Sequence, residues 1–182
     1  MRIKILLKII ACNKTFIAIA CCICFLHPAV GLAQNANDYF KNAIAEDKAQ
    51  HYDNVIKNCS LAIQANPASA EAYYLRGKAK FILKDFYGAI EDEQKAAQLQ
   101  LQNENVYLIS AFAKQALKKY KSALADLNRA LSINPENNIA YYHRGFVNAR
   151  LNNRQQSRTD FGRAIELGLG EPADILTEIE PD

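Results

Sequence analysis

A chain of 182 residues, half of them hydrophobic and 23% charged, suits one globular domain and excludes both a disordered tail and a collagen-like rod. The formal net charge of +3 is misleading, because Arg2, Lys4, Lys8 and Lys14 precede the first acid, Asp38. Without these four the chain keeps 18 basic against 19 acidic residues, which argues against a basic nucleic-acid-binding surface.

The first segment in chain order is that basic start. It runs into an eleven-residue apolar stretch, Phe16 to Leu26 (FIAIACCICFL), then "HPAVGLA" ahead of polar "QNAND". A basic segment, a short apolar core and small residues before a cut describe a secretory signal peptide over residues 1–33, with cleavage expected after Ala33. The apolar stretch is shorter than the ~20 residues a spanning helix needs. Counting back to Ile5 through the lysines lengthens it, so an uncleaved membrane anchor is the alternative. Cys12, Cys21, Cys22 and Cys24 lie in this leader among Ile, Ala and Phe, and no second ligand cluster accompanies them. They read as part of a membrane-passing segment rather than a metal or redox site. "AIAC" at Cys21 lacks the aliphatic residue a lipid acceptor requires, and "IIAC" at Cys12 has too little apolar chain before it. The expected location is exported, periplasmic or secreted, with the membrane met only in transit. Only Cys59 remains beyond the leader, so no intrachain disulfide forms there.

From Ala36 the chain falls into four rows of thirty-four without a gap: 36–69, 70–103, 104–137 and 138–171. The fourth place reads Tyr39, Tyr73, Tyr107, Tyr141, and the eighth Ala43, Gly77, Ala111, Gly145. The seventeenth reads Tyr52, Phe86, Tyr120, Arg154; the twentieth Val55, Ala89, Ala123, Ser157; the twenty-seventh Ala62, Ala96, Ala130, Ala164. Pro67 and Pro135 share the thirty-second place. Each row holds two stretches of helical apolar spacing, separated by short breaks such as "KDF", "KKY" and "NNR". Small residues at the eighth, twentieth and twenty-seventh places let paired helices approach, and a large side chain there forces them apart. Asn-Pro ends a helix, because proline disfavours helical geometry in its predecessor. The fold class expected is all-α, a right-handed superhelical solenoid of four helix-turn-helix units with a continuous core and a concave groove. Arg154, Ser157 and "GLG" depart from the pattern, which predicts looser packing of the last helix. Residues 172–182 offer only a short capping segment, with Ile175, Leu176 and Ile179 as its apolar positions.

These columns resemble the tetratricopeptide repeat, whose unit carries an aromatic, a small residue, a second aromatic, two alanines and a closing proline at the same spacings. The resemblance covers about 136 residues. It implies that the first helix of each unit lines the concave face, presenting Phe40, Ile44, Tyr74, Lys78, Phe81, Leu108, Phe112, Tyr142, Phe146 and Arg150. A ribbon of rings and aliphatic groups with two cations suits an apolar or amphipathic peptide. The resemblance also implies that a carboxylate-gripping clamp of Lys, Asn and Arg is missing. The corresponding places hold Phe40, Ile44, Leu75, Asn105 and Ile109, or, one unit on, Tyr74, Lys78, Ile109, Ile139 and His143.

Two arginines invite a binding role, yet each has an aspartate sixteen residues later, Arg76 with Asp92 and Arg144 with Asp160. The expected role is a pair between the two helices of a unit, contributing roughly 0.2–1 kcal/mol if partly exposed. His51 and His143 lie in different units without metal-ligand spacing, and Cys59 reads as a small core residue. No glycine-rich phosphate loop or HExxH pattern occurs, so no enzyme, cofactor, metal or small-molecule substrate is expected. The leading functional reading is an adaptor or scaffold for a protein or peptide. The alternative is a self-associating subunit of an envelope assembly, joined through the weakly capped C-terminal end.

Overall fold

The computed structural model describes residues 35–170, and the expected leader and the capping segment 172–182 lie outside the described residues. Eight helices follow one another: α1 (35–48), α2 (Tyr52–Ala65), α3 (Ala70–Ile82), α4 (Phe86–Gln98), α5 (Glu104–Ala116), α6 (Tyr120–Ile133), α7 (Asn138–Arg150) and α8 (Arg154–Glu166). Among the described residues there is no strand. In the last three units the first helix begins at the first place and the second at the seventeenth, so the sequence period is also the structural period.

The turns within units are alike. Gln50, Lys84, Lys118 and Asn152, all at the fifteenth place, take left-handed backbone with φ between 56° and 65°. The next amide then reaches back five residues, as from Asp85 to the carbonyl of Lys80 and from Lys119 to that of Lys114. These are Schellman closures of the first helix, built without glycine. Turns between units come in two kinds. Asn66 and Asn134 stay extended at φ −139° and −128°, as the following proline requires. Each accepts a hydrogen bond on its side-chain oxygen from the amide two residues on, Ala68 or Glu136. Where the proline is missing, Gln100 and Gly168 adopt φ 63° and 87°, and Leu101 and Leu169 donate back to Ala96 and Ala164. Leu101 and "GLG" therefore end their helices by a second route. Side-chain caps fix three of the helix starts, from Asp85 to the Gly88 amide, Asn103 to Asn105 and Asn137 to Ala140.

Packing within a unit turns on small residues. Val55, Ala89 and Ala123 at the twentieth place are fully buried, as are Ala96, Ala130 and Ala164 at the twenty-seventh. The eighth place meets the twenty-fourth, where Cys59, Glu93, Leu127 and Phe161 are all buried. Alanine stands opposite Cys59 and Leu127; glycine stands opposite Glu93 and Phe161. A Cβ on Gly77 would lie 2.6 Å from Glu93 Oε1, and one on Gly145 2.9 Å from the Phe161 ring. A longer partner across the gap thus demands removal of the methyl.

Between units, α3 touches α5 and α5 touches α7, while no comparable contact joins α4 to α6 or α6 to α8. The first helices are therefore the inner wall of the curve. Contrary to the expectation of looser packing, α8 lies against α7 as closely as α4 against α3. The reason is Phe161, which fills the core at 1% exposure, while the substituted Arg154 sits on the outside of the turn. Gly145→Ala is expected to cost about 1–3 kcal/mol by overpacking. Adding Phe161→Leu should recover most of that loss, since the pair then copies Ala111 and Leu127; urea unfolding of the single and double variants measures both.

Candidate partner-binding groove

The ten side chains expected on the inner wall fall into three environments. Ile44, 38% exposed, and Arg150 stand in solvent. Phe40, Tyr74, Phe81, Phe112, Tyr142 and Phe146 are half-buried, each with part of its surface against the core and part open. Phe40 leans on Ala43, Val55 and Cys59, and Phe112 and Phe146 lean on the cluster around Leu127 and Val147. Leu108 departs from the expectation: it is 4% exposed and belongs to that same cluster. Tyrosine at this place in units two and four reaches the surface, whereas the shorter leucine ends inside, so Leu108 has no face to offer. Lys78 is also committed, its Nζ donating to Asp47 Oδ2 at 2.8 Å and Oδ1 at 3.1 Å. Arg150 covers the Phe146 ring at 4.8 Å.

The wall has a register that no single unit reveals. Asp47 meets Lys78, Phe81 meets Phe112 at 6.3 Å, and Phe112 meets His143 at 4.1 Å, each contact spanning 31 residues. Neighbouring inner helices are thus displaced by three residues, and rings from three units join along a diagonal. His143 is the member the sequence pattern does not anticipate. Its ring lies between Phe112 and Tyr142, and Gln115 clamps it, donating Nε2 to the His143 carbonyl at 3.2 Å. Gln115 Oε1 then faces His143 Nδ1 at 3.0 Å, which places the ring proton on Nδ1. Burial pushes the His143 pKa down to about 4, so the ring is neutral at pH 7. The signal in the sequence is the arithmetic series Phe81, Phe112, His143, which becomes visible only once the inter-helix offset is known.

Both arginines are architectural, and each does more than the expected pair. Arg76 donates Nε to Asp92 Oδ2 at 2.9 Å and Nη2 to Oδ1 at 2.7 Å, and Nη1 reaches Ser60 Oγ of the preceding unit at 3.0 Å. Arg144 repeats this with Asp160 and Asn128. The guanidinium groups also lie over Tyr73 and Tyr141 at 5.5 and 5.2 Å. One side chain therefore ties its own hairpin to the unit before it. In unit three Ser110 takes the seventh place and the cation moves to Lys114, both donating to Asp126. Asp92 and Asp160 are 5% and 4% exposed at the side chain, so the surface-pair magnitude does not apply. Breaking a buried pair costs about 3–5 kcal/mol, and the partial exposure of Arg144 places Arg144→Ala near the lower end. The thermal midpoint should fall with it.

Glu93 is the anomaly of the core. It is 1% exposed, neither carboxyl oxygen has a hydrogen-bond partner among the described residues, and burial, with Asp92 adjacent, raises its pKa to about 10. Cys59 at the same place of unit one is likewise buried, which lifts its thiol to about 12 and leaves no thiolate for nucleophilic chemistry. Because the folded Glu93 holds its proton while the unfolded group ionises near 4.5, stability from this residue is lost as pH rises above 4.5. Glu93→Gln, which keeps shape and removes ionisation, should match the native chain at pH 5. At pH 8 it should exceed it by something on the order of a few kcal/mol, read from urea midpoints.

Among the described residues no group of His, Cys, Asp and Glu is placed to hold a metal, and no helix is long and apolar enough to cross a membrane. A family model described as TPR repeat matches residues 113–152. No curated protein matches the chain. Solved structures with the same fold include the Arabidopsis OM64 TPR domain, at 27% identity and TM-score 0.62, covering 64% of this chain and 96% of that one. MamA matches at 20% identity and TM-score 0.74, with 80% of this chain and 79% of that one covered. YrrB, a TPR protein with an unusual peptide-binding site, matches at 19% identity and TM-score 0.74, covering 84% and 79%. The family model over residues 113–152, the neighbouring structures and the gapless thirty-four-residue period agree on one architecture, a tetratricopeptide-repeat fold.

Proposed function

We propose that this chain is a non-enzymatic adaptor that holds a peptide or helix of a partner protein against its inner wall. The observation that carries the reading is the state of the wall's rings. Core positions of the same helices are closed to solvent, yet Phe40, Tyr74, Phe81, Phe112, Tyr142 and Phe146 each keep an open face. Half-open aromatic surface on a rigid, preassembled frame is suited to anchoring a partner at low entropic cost. Four inner helices spaced about 8–10 Å apart make a wall of roughly 30 Å. At about 3.3 Å per residue that length accommodates some nine residues of extended peptide. The peptide-binding site of YrrB supports the same class of role for this fold.

The leader points to where the adaptor works. A basic, apolar and small-residue segment over 1–33 supports export to a periplasmic or extracellular space, with the membrane crossed rather than occupied. N-terminal sequencing of the exported protein should begin at Gln34; a start at Met1 on membrane-bound material would replace this reading with a tethered one.

Ile44 and Tyr74 give the cleanest test of the groove, because neither supports the His143 stack as Phe112 does. Peptides selected from a display library on the native chain should lose at least about tenfold in affinity with Ile44→Asp or Tyr74→Ala. Unchanged affinity in variants whose melting curves are normal would remove the groove from the account.

A further inference from the structure

The two edges of the solenoid carry opposite charge, and we infer that they bind each other in successive copies of this chain. The helix ends define the edges. One edge gathers the turns within units, and the other gathers the turns between units, about 20 Å away along helices of thirteen or fourteen residues.

On the first edge, residues 82–88, 116–122 and 150–156 contain Lys84, Lys118, Lys119, Lys121, Arg150 and Arg154, all exposed. The one acid in these three turns, Asp85, caps the Gly88 amide. The turn of unit one, residues 48–54, is balanced, with Lys48 and Asp53 both exposed. On the second edge, residues 64–71, 98–105, 132–139 and 166–170 contain Glu71, Glu104, Glu136 and Glu166 and no lysine or arginine. Glu166 is paired by Arg163 from one turn back at 2.9 Å, and Glu104 accepts from Asn134 Nδ2 at 3.1 Å. That leaves Glu71, Glu104 and Glu136 as the acids without a cation beside them in these turns.

Each edge also carries apolar surface. Ile82, Leu83 and Tyr87 are 40%, 44% and 60% exposed on the basic side, where Lys119 Nζ lies 4.6 Å from the Tyr87 ring centre, and Ile139 is 46% exposed on the acidic side. The occupant favoured by these facts is a second copy, because it matches both edges at once. An anionic bilayer would answer only the basic one.

Two different patches meeting edge to edge make a heterologous contact, which repeats into an open row rather than closing as a dimer. Apart from Arg150, which stands where the wall meets the basic edge, the inner wall lies outside such a row, so each copy keeps its groove open to a partner. Attraction between exposed charges extends over about 30 Å at 0.01 M ionic strength and only about 8 Å at 0.15 M.

Sedimentation velocity of the purified chain should therefore show concentration-dependent growth at low ionic strength, weakening at least about tenfold by 0.15 M. The triple variant Lys118→Glu, Lys119→Glu, Lys121→Glu makes both edges acidic, and Glu71→Lys, Glu104→Lys with Glu136→Lys makes the second edge basic. Each variant alone should be monomeric, and an equimolar mixture should associate, which also shows that both have folded. A native chain that stays monomeric at low salt, or a mixture that fails to associate, overturns the inference. So does a monomeric native chain that cosediments with phosphatidylglycerol vesicles through these lysines, which would assign the basic edge to a lipid surface.

Discussion

The distance between the two helices of a unit is set where the eighth place meets the twenty-fourth, and the solenoid is built outward from that contact. The unit does not require a particular residue at either place. It requires that the two side chains together fill one gap. Alanine with cysteine or leucine does so, and so does glycine with glutamate or phenylalanine. Because hairpin spacing is held constant in this way, the same turn geometry recurs at every fifteenth place, and successive inner helices can keep one offset. A rigid wall of rings depends on that constancy, since a hairpin opened by even a methyl group would displace the diagonal from Phe81 to His143.

Hydrophobic contact alone does not fix how one hairpin sits on the last, and polar groups supply that constraint. Arg76 and Arg144 each bind an aspartate on their own second helix and an oxygen on the second helix before it. With two directions of a planar guanidinium committed, the rotation between units has little freedom. In unit three Ser110 and Lys114 serve Asp126 from within the same hairpin, so the donor to the aspartate is interchangeable, whereas the reach to the preceding unit comes from the arginines. Tyr73 and Tyr141 complete this arrangement as ring floors beneath the guanidinium groups, which accounts for the recurrence of tyrosine, arginine and glycine together.

The sequence makes the architecture legible and the wall only partly so, for a physical reason. Period, helix limits and small-residue columns are local or nearly local properties, and the columns from Tyr39 to Ala164 carry them openly. The arginine–aspartate spacing of sixteen likewise lies within one hairpin, whose geometry is known once the hairpin is. What crosses from unit to unit is harder to see. Place alone puts Leu108 on the surface, whereas its length keeps it inside, and a lone histidine such as His143 carries no local pattern. Glu93 is harder still. Nothing in "IEDEQKAA" distinguishes it from solvent-facing Glu91 or from the arginine-paired Asp92 except its column, shared with Cys59, Leu127 and Phe161. Columns, rather than chain neighbours, hold that signal.

Two neutralised groups bias the solenoid in opposite senses with pH. His143 titrates at about 4 in the fold against an ordinary 6.5, so the unfolded chain takes up its proton first and stability is lost as pH falls from 6.5 towards 4. Glu93 acts the other way, losing stability as pH rises above 4.5. Between 4.5 and 6.5 the two slopes oppose, and the Glu93 slope stands alone above that window. The residues sit in different units, His143 in the ring stack of the wall and Glu93 in the core of unit two. In a repeat protein, local stability follows the unit and its nearest neighbours. Acid should therefore loosen the C-terminal half of the wall first, and mild alkali the unit that carries Tyr74.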